Sequence, residues 1–323
     1  MDEFTNQRPI RYLITFFNQY KNIIFYICLV ILISIIVIPQ LSNIKQSFEV
    51  TNKIKPLWLV AGFIISLTTF LFSALSFYVL AKKPIKYINT VLIQCASMFA
   101  NHLLPAGIGS IGVMFRYLKL NRHSNSEAAS VVYVNNILGF IGYVLILSYI
   151  LVFDHAPLKI NIFTKYNNLL LVIAVVAFLF ATLFFIKFRH IGKKLISFLN
   201  SVRKSTNEYR HKKASLLISL MSIMCLTILY GLSLCTCALA IGVHISLAET
   251  LVVLAIGVIA KSVVPTPGGI IGAEAGIFAG LLSYGMTGAQ AILVIISYRL
   301  ITYWLPFALG GVAITYVKKL NYI

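Results

Sequence analysis

The sequence predicts an all-α polytopic membrane protein, with about six full spans and two re-entrant broken-helix hairpins arranged as inverted repeats. Three observations predict it. Of the 323 residues, 59% are hydrophobic and only 11% charged, whereas soluble domains carry about a quarter charged residues. Apolar windows of roughly 20 residues, the length that crosses a hydrocarbon core, recur along the chain. A Pro- and Gly-interrupted apolar stretch occurs twice, at an offset of 160 residues.

The elements follow in order. The N-terminal stretch MDEFTNQRPIRYLITFFNQYKN is basic and precedes an apolar run at 23–38. No small-residue cleavage site follows, so a retained signal-anchor helix is expected. Full spans are expected at about 22–40, 57–80, 126–152, 167–186, 214–241 and 289–316. Two longer windows, about 88–118 and 247–283, are broken near their middles. Each reads as two short helices that enter and leave by the same side. Non-helical backbone at that depth is tolerated only where protein or a watery cavity surrounds it.

Charge supports this topology. With the N-terminus inside and both broken segments returning to their own side, five of the 27 Lys and Arg residues fall outside. Two lie within spans, Lys261 and Arg299, and all the others are cytoplasmic. The expected location is the cytoplasmic (inner) membrane, multi-pass, with both termini cytoplasmic. The formal net charge of +19 is therefore a loop property, and no nucleic-acid partner is expected.

Aligned without gaps, NHLLPAGIGSIGVMF (101–115) and KSVVPTPGGIIGAEA (261–275) match Pro105 with Pro265, Gly109 with Gly269 and Gly112 with Gly272. The same offset carries 57–80 onto 217–240 and 126–152 onto 286–312. The chain is thus one transmembrane domain over 1–323. Its inverted repeats cover about 57–152 and 214–316, and a connecting span and basic loop occupy 167–213. Discontinuous helices in such repeats are a transporter pattern.

The breaks concentrate the candidate site. Pro265, Pro267, Gly268 and Gly269 end one short helix and start another. The unpaired N–H groups and positive dipole end of the new helix then form an anion site. A plain kink packed on its neighbours is the alternative. Glycines at 268, 272, 276 and 280 form one stripe suited to close helix packing. Glu274 lies about 180° from the centre of that stripe.

A carboxylate this deep needs a partner, a proton or water. Arg299, at mid-depth of the last span, and Lys261, one turn before Pro265, are the available cations. Two roles stay open: a structural Glu274–Arg299 bridge, or a headgroup site in which Glu274 trades partners or protons. At the offset of 160 these three map onto Met114, Gly139 and Asn101, so charge is confined to one half. Arg116, on the face of Gly109 and Gly112, either supplies a further cation or snorkels at the basic boundary. His102, Asn135 and Asn136 read as a relay candidate and polar glue.

The five cysteines all lie in apolar segments and read as buried hydrophobes. No nucleophile motif, metal-ligand cluster or phosphate loop appears. Neither an enzyme, a metal nor a cofactor is expected.

The paired breaks with a following base (Pro105 to Gly109, then Arg116), PTPGGIIGAE (Pro265 to Glu274), and the terminal set Arg299, Pro306, Gly310 and Gly311 resemble the flippase-like family. That family includes the membrane half of bacterial lysylphosphatidylglycerol synthases, and the resemblance covers about residues 10–318. It implies a translocase for an anionic or phosphate-bearing lipid or lipid-linked headgroup, such as an aminoacylated phospholipid or a polyprenyl-phosphate carrier. Membrane lipids are the implied partners, with a second copy of the chain or a lipid-modifying enzyme as protein partners. The rival readings are a proton-coupled transporter of a small soluble anion and a non-transporting partner of a glycosyltransferase.

Overall fold

The computed structural model describes residues 54–103, 108–154, 200, 203–263 and 270–319. The expected spans at 22–40 and 167–186 lie outside these residues, as do Pro105, Pro265, Pro267, Gly268 and Gly269. All regular structure among the described residues is helical.

The first half holds α1 (Pro56–Leu80), α2 (Tyr87–Leu103), α3 (Ile108–Leu120) and α4 (Asn125–Tyr149). A π turn, Ile150–Asp154, extends α4. The second half holds α5 (Lys213–Ala240), α6 (Leu247–Val263), α7 (Ile270–Ser283) and α8 (Gly288–Arg299). A π turn, Leu300–Trp304, then leads into α9 (Leu305–Lys319). Four continuous helical runs are long and apolar enough to cross a membrane: Pro56–Leu80, Asn125–Phe153, Lys213–Ala240 and Gly288–Val317. No more than 39% of the apolar window of any of them is buried. Exposed apolar area of that extent needs lipid around it.

Local chemistry sets the helix ends. Pro56 occupies the first turn of α1, where a missing N–H costs nothing. α4 starts at a capping box between Ser124 and Glu127, and α8 at one between Thr287 and Gln290. Ser246 and Glu249 exchange the same pair of bonds at the start of α6. At the end of α7 the chain turns through Gly285, φ +87°. The Met286 and Gly285 amides there donate back to the carbonyls of Leu281 and Leu282. The same turn ends α3, but Arg122 takes the left-handed position, φ 64°.

Both broken segments double back. Along α6 and α7 the close approaches run Gly272 to Ala260, Gly276 to Gly257 and Gly280 to Val253. The order is antiparallel, and the expected glycine stripe is the contact surface over its three described members. A Cβ on Gly276 would lie 2.7 Å from the Gly257 Cα, so the helices touch backbone to backbone. In α2 and α3, Gly109 presses on the Ala100 carbonyl and the Tyr117 hydroxyl meets that of Thr90.

The gapless alignment needs one correction. α2 and α6 begin and end 160 residues apart, and so do the ends of α1 and α5. Past the break the separation is 163. Gly109 on Ala100 matches Gly272 on Ala260, Arg122 matches Gly285, and Ser124 matches Thr287. Three extra residues therefore sit in the second break. The counterpart of Gly109 is Gly272 rather than Gly269, that of Glu274 is Ile111, and that of Arg299 is Asn136. A Pro/Gly pattern can slide by a few residues; a close backbone approach cannot.

α1 and α5 pack along their lengths in opposite directions, through Lys55 N to Ala240 O, Ser233 against Gly62, and Ser76 against Ser219. α9 packs on α2, with Phe307 stacked on Phe99 at 4.8 Å. The end of α4 meets α6 through a small side-chain cluster, Ile146 and Ile150 with Leu251 and Val252. The second half thus closes over the first half's hairpin.

Candidate functional site

The packing leaves a cavity of about 320 Å³ between the halves. α2 and α6 each end at it, with Asn101 and Lys261 in their last turns, and α8 brings Arg299. Tyr143, Tyr230 and Tyr298 form much of the remaining wall, with Thr227 and Thr302.

Rotation of α7 decides where Glu274 goes. Because Gly272, Gly276 and Gly280 are pinned to α6, the carboxylate must leave from another face. It meets Arg299, with Nε 2.7 Å from Oε1. The contact is an ion pair without the alignment of a hydrogen bond. Both side chains are largely buried, 17% and 24% exposed for Arg299 and Glu274. The Arg299 guanidinium also lies 5.6 Å from the centre of the Tyr303 ring, within cation–π range. Arg299 is the last residue before the π turn. Such turns insert an extra residue into a helix and are frequent at functional sites.

The pair leaves capacity unused. Arg299 Nη2, Glu274 Oε2 and Asn101 Oδ1 are buried with no hydrogen-bond partner among the described residues. Gln94 Nε2 and Ser97 Oγ, on the same face of α2 as Asn101, are likewise unpaired. An unpaired buried donor on a charged group is costly, and a ligand that accepts hydrogen bonds removes that cost. With Lys261 and Arg299 against one carboxylate, the cavity suits an anion.

The remaining candidates divide. Gly109 is buried and serves the hairpin contact with Ala100. Gly112 faces open space, Arg116 is exposed, and neither lines the cavity. The packed face of α3 is instead that of Met114, Tyr117 and Leu118, and Arg116 points away from it. Asn135 accepts a hydrogen bond from Ser76 as polar glue, while Asn136 is exposed. The His102 side chain lies outside the described residues. Sequence reasoning missed the tyrosines, because an apolar ring with one hydroxyl is nearly silent in a hydropathy window. The adjacency of Tyr298 to Arg299 was the available signal.

The family model described as the lysylphosphatidylglycerol synthase TM region matches residues 24–310. The chain belongs to that family. The match spans both hairpins, every described cavity residue and three of the four apolar runs, and it reaches into the fourth, Gly288–Val317. Membership and the four runs together make this a multi-pass membrane protein. No curated protein and no solved structure matches the chain. The resemblance drawn from the paired breaks and the PTPGGIIGAE element is therefore a family relationship.

Proposed function

We propose that this member of the family is a lipid translocase. It binds an anionic or phosphate-bearing headgroup in the central cavity while the acyl chains stay in the bilayer. The carrying observation is the unpaired Arg299 Nη2 beside Lys261 in a cavity walled by both halves. Its volume, about 320 Å³, suits a headgroup and is too small for a whole two-chain lipid.

On this reading the halves are inverted repeats, about 57–152 and 214–316, and the hairpins α2–α3 and α6–α7 are re-entrant. The antiparallel pairing of α1 with α5 supports the inversion, and rocking of one half against the other would alternate access. Lys82, Arg122, Arg210 and Lys213 gather at one end of the bundle, which the positive-inside rule makes cytoplasmic. The same reading puts both termini on that side and the protein in the cytoplasmic (inner) membrane. The protein acts by binding and release, with no bond made or broken.

A small soluble anion would meet the same cations, and the compact cavity favours that rival as a second reading. Reconstituted liposomes separate the two. Labelled phospholipid and a short polyprenyl phosphate are offered for scrambling, and a soluble organic phosphate for uptake. Wild-type protein is expected to move a lipid, and Glu274→Gln and Arg299→Ala to slow it. Uptake of the soluble phosphate alone supports the rival. No movement by the wild type, or variants as active as the wild type, overturns the translocase and leaves a structural pair in a non-transporting partner protein.

A further inference from the structure

The central cavity leaves a second concavity unassigned. It lies at the basic end of the bundle, between α4 and residues 203–210 with Asn200, and has a volume of about 960 Å³. Arg203, Lys204 and Arg210 line it together with Asn207, and no carboxylate is among its described lining residues. Glu208, the acidic residue of the segment, is drawn into an ion pair with Lys82 at 2.8 Å. Thr206 Oγ1, also on the wall, is buried with no hydrogen-bond partner among the described residues. Three cations and an unpaired hydroxyl therefore share one recess.

The opposite wall is a different material. Tyr133 and Ile137 of α4 close it, and both are exposed, 53% and 39%. They begin a stripe that continues through Phe140, Ile141 and Val144, all exposed. Spacings of four, seven, eight and eleven from Tyr133 place these residues on one helix face. That face runs down a helix that is long and apolar enough to cross the membrane.

We propose that this recess is a docking site for an anionic phospholipid of the adjoining leaflet. The phosphodiester sits on Arg203, Lys204 and Arg210, and one acyl chain lies along the α4 face from Tyr133 to Val144. A free phosphate would satisfy the cations but leave the apolar stripe without a role; a lipid uses both. The site rests on α4 spanning the bilayer and is independent of transport through the central cavity.

The test uses the full-length protein in detergent, with bound lipid counted by native mass spectrometry. Phosphatidylserine and phosphatidylcholine of identical chains are compared, and glycerol phosphate is the soluble competitor. Each basic residue near a charged headgroup contributes a few-fold in affinity, so a preference for phosphatidylserine of about tenfold or more is expected. The combined variant Arg203→Gln, Lys204→Gln and Arg210→Gln should cut the preference several-fold, and Arg116→Gln, exposed on α3 and outside both cavities, should retain it. Equal binding of the two lipids, or an unchanged preference in the combined variant, overturns the proposal. So does an equal loss of preference in Arg116→Gln, or displacement by glycerol phosphate at concentrations comparable with the lipid. If the combined variant melts below wild type, Arg203→Gln alone decides: a few-fold weaker preference supports the site, and none overturns it.

Discussion

Asn101 and Lys261 stand 160 residues apart in the sequence, occupy the last turns of α2 and α6, and face one cavity. One position has become a neutral acceptor and the other a cation. Matched backbone with unmatched chemistry gives the cavity a charged wall and a neutral wall. Removing the Lys261 charge should accordingly weaken headgroup binding while leaving the hairpin intact. Lys261→Gln is expected to slow lipid scrambling by about tenfold, the worth of one charge-assisted hydrogen bond, with unchanged melting. Arg116→Gln, exposed on α3 and outside the cavity, should scramble like wild type in the same liposomes.

The Glu274–Arg299 pair should respond asymmetrically. Arg299→Met leaves a buried carboxylate without its partner, a loss on the order of 3–5 kcal/mol. Glu274→Gln combined with Arg299→Met leaves no uncompensated charge and should recover most of that loss. Thermal unfolding in detergent across the double-mutant cycle measures the coupling. Additive single effects would show that the 2.7 Å contact carries no energy of its own.

Glycines in the hairpins differ in what surrounds them. A Cβ at Gly276 would lie 2.7 Å from the Gly257 Cα and 2.8 Å from the Ala260 Cβ. Gly276→Ala is expected to destabilise by about 1–3 kcal/mol through forced separation of α6 and α7. At Gly112 the space is open, and Gly112→Ala should be neutral or stabilise by about 1 kcal/mol through helix propensity. Melting curves of the two variants, measured side by side, check both signs.

His123 predicts a pH dependence. Its Nε2 accepts from the Lys82 and Lys83 backbone amides, at 3.2 and 3.1 Å, so the ring is neutral with its proton on Nδ1, facing the Leu118 carbonyl. Burial holds the imidazole below its ordinary value of 6.5; the Leu118 and Asn121 carbonyls and Glu127 act against that, and Lys83 adds slightly to it. The unfolded chain then binds the proton more readily than the folded one. This contribution to stability is complete above pH 6.5 and is lost as pH falls below it. Unfolding of wild type and His123→Gln between pH 7.5 and 5.5 should show a steeper decline in the wild type; parallel curves would exclude the imidazole.

Lys82 ties segment 203–211 to the end of α1. Its side chain is 5% exposed and its ammonium reaches Glu208 and Ser205, and the Tyr209 hydroxyl donates to the Leu80 carbonyl at 2.6 Å. Lys82→Met should raise amide exchange across 203–211 by several-fold while leaving α5 protected. Unchanged exchange would assign the tether to Tyr209 alone.

The sequence by itself determined the solvent, the class and the family. Lipid solvation is a property of composition, and the length of an apolar window is set by bilayer thickness, so the spans at 57–80, 126–152, 214–241 and 289–316 lie within about a residue of the helices observed. The glycine period in α7 likewise announced its close packing. Only the tertiary structure decided the three-residue difference between the breaks, the meeting of Glu274 with Arg299, and the tyrosine wall. It also set Arg116 apart from the cavity. The reason is physical: periodicity reports which face of one helix is apolar. Where two helices touch depends on side chains from both, and that information is absent from either segment alone.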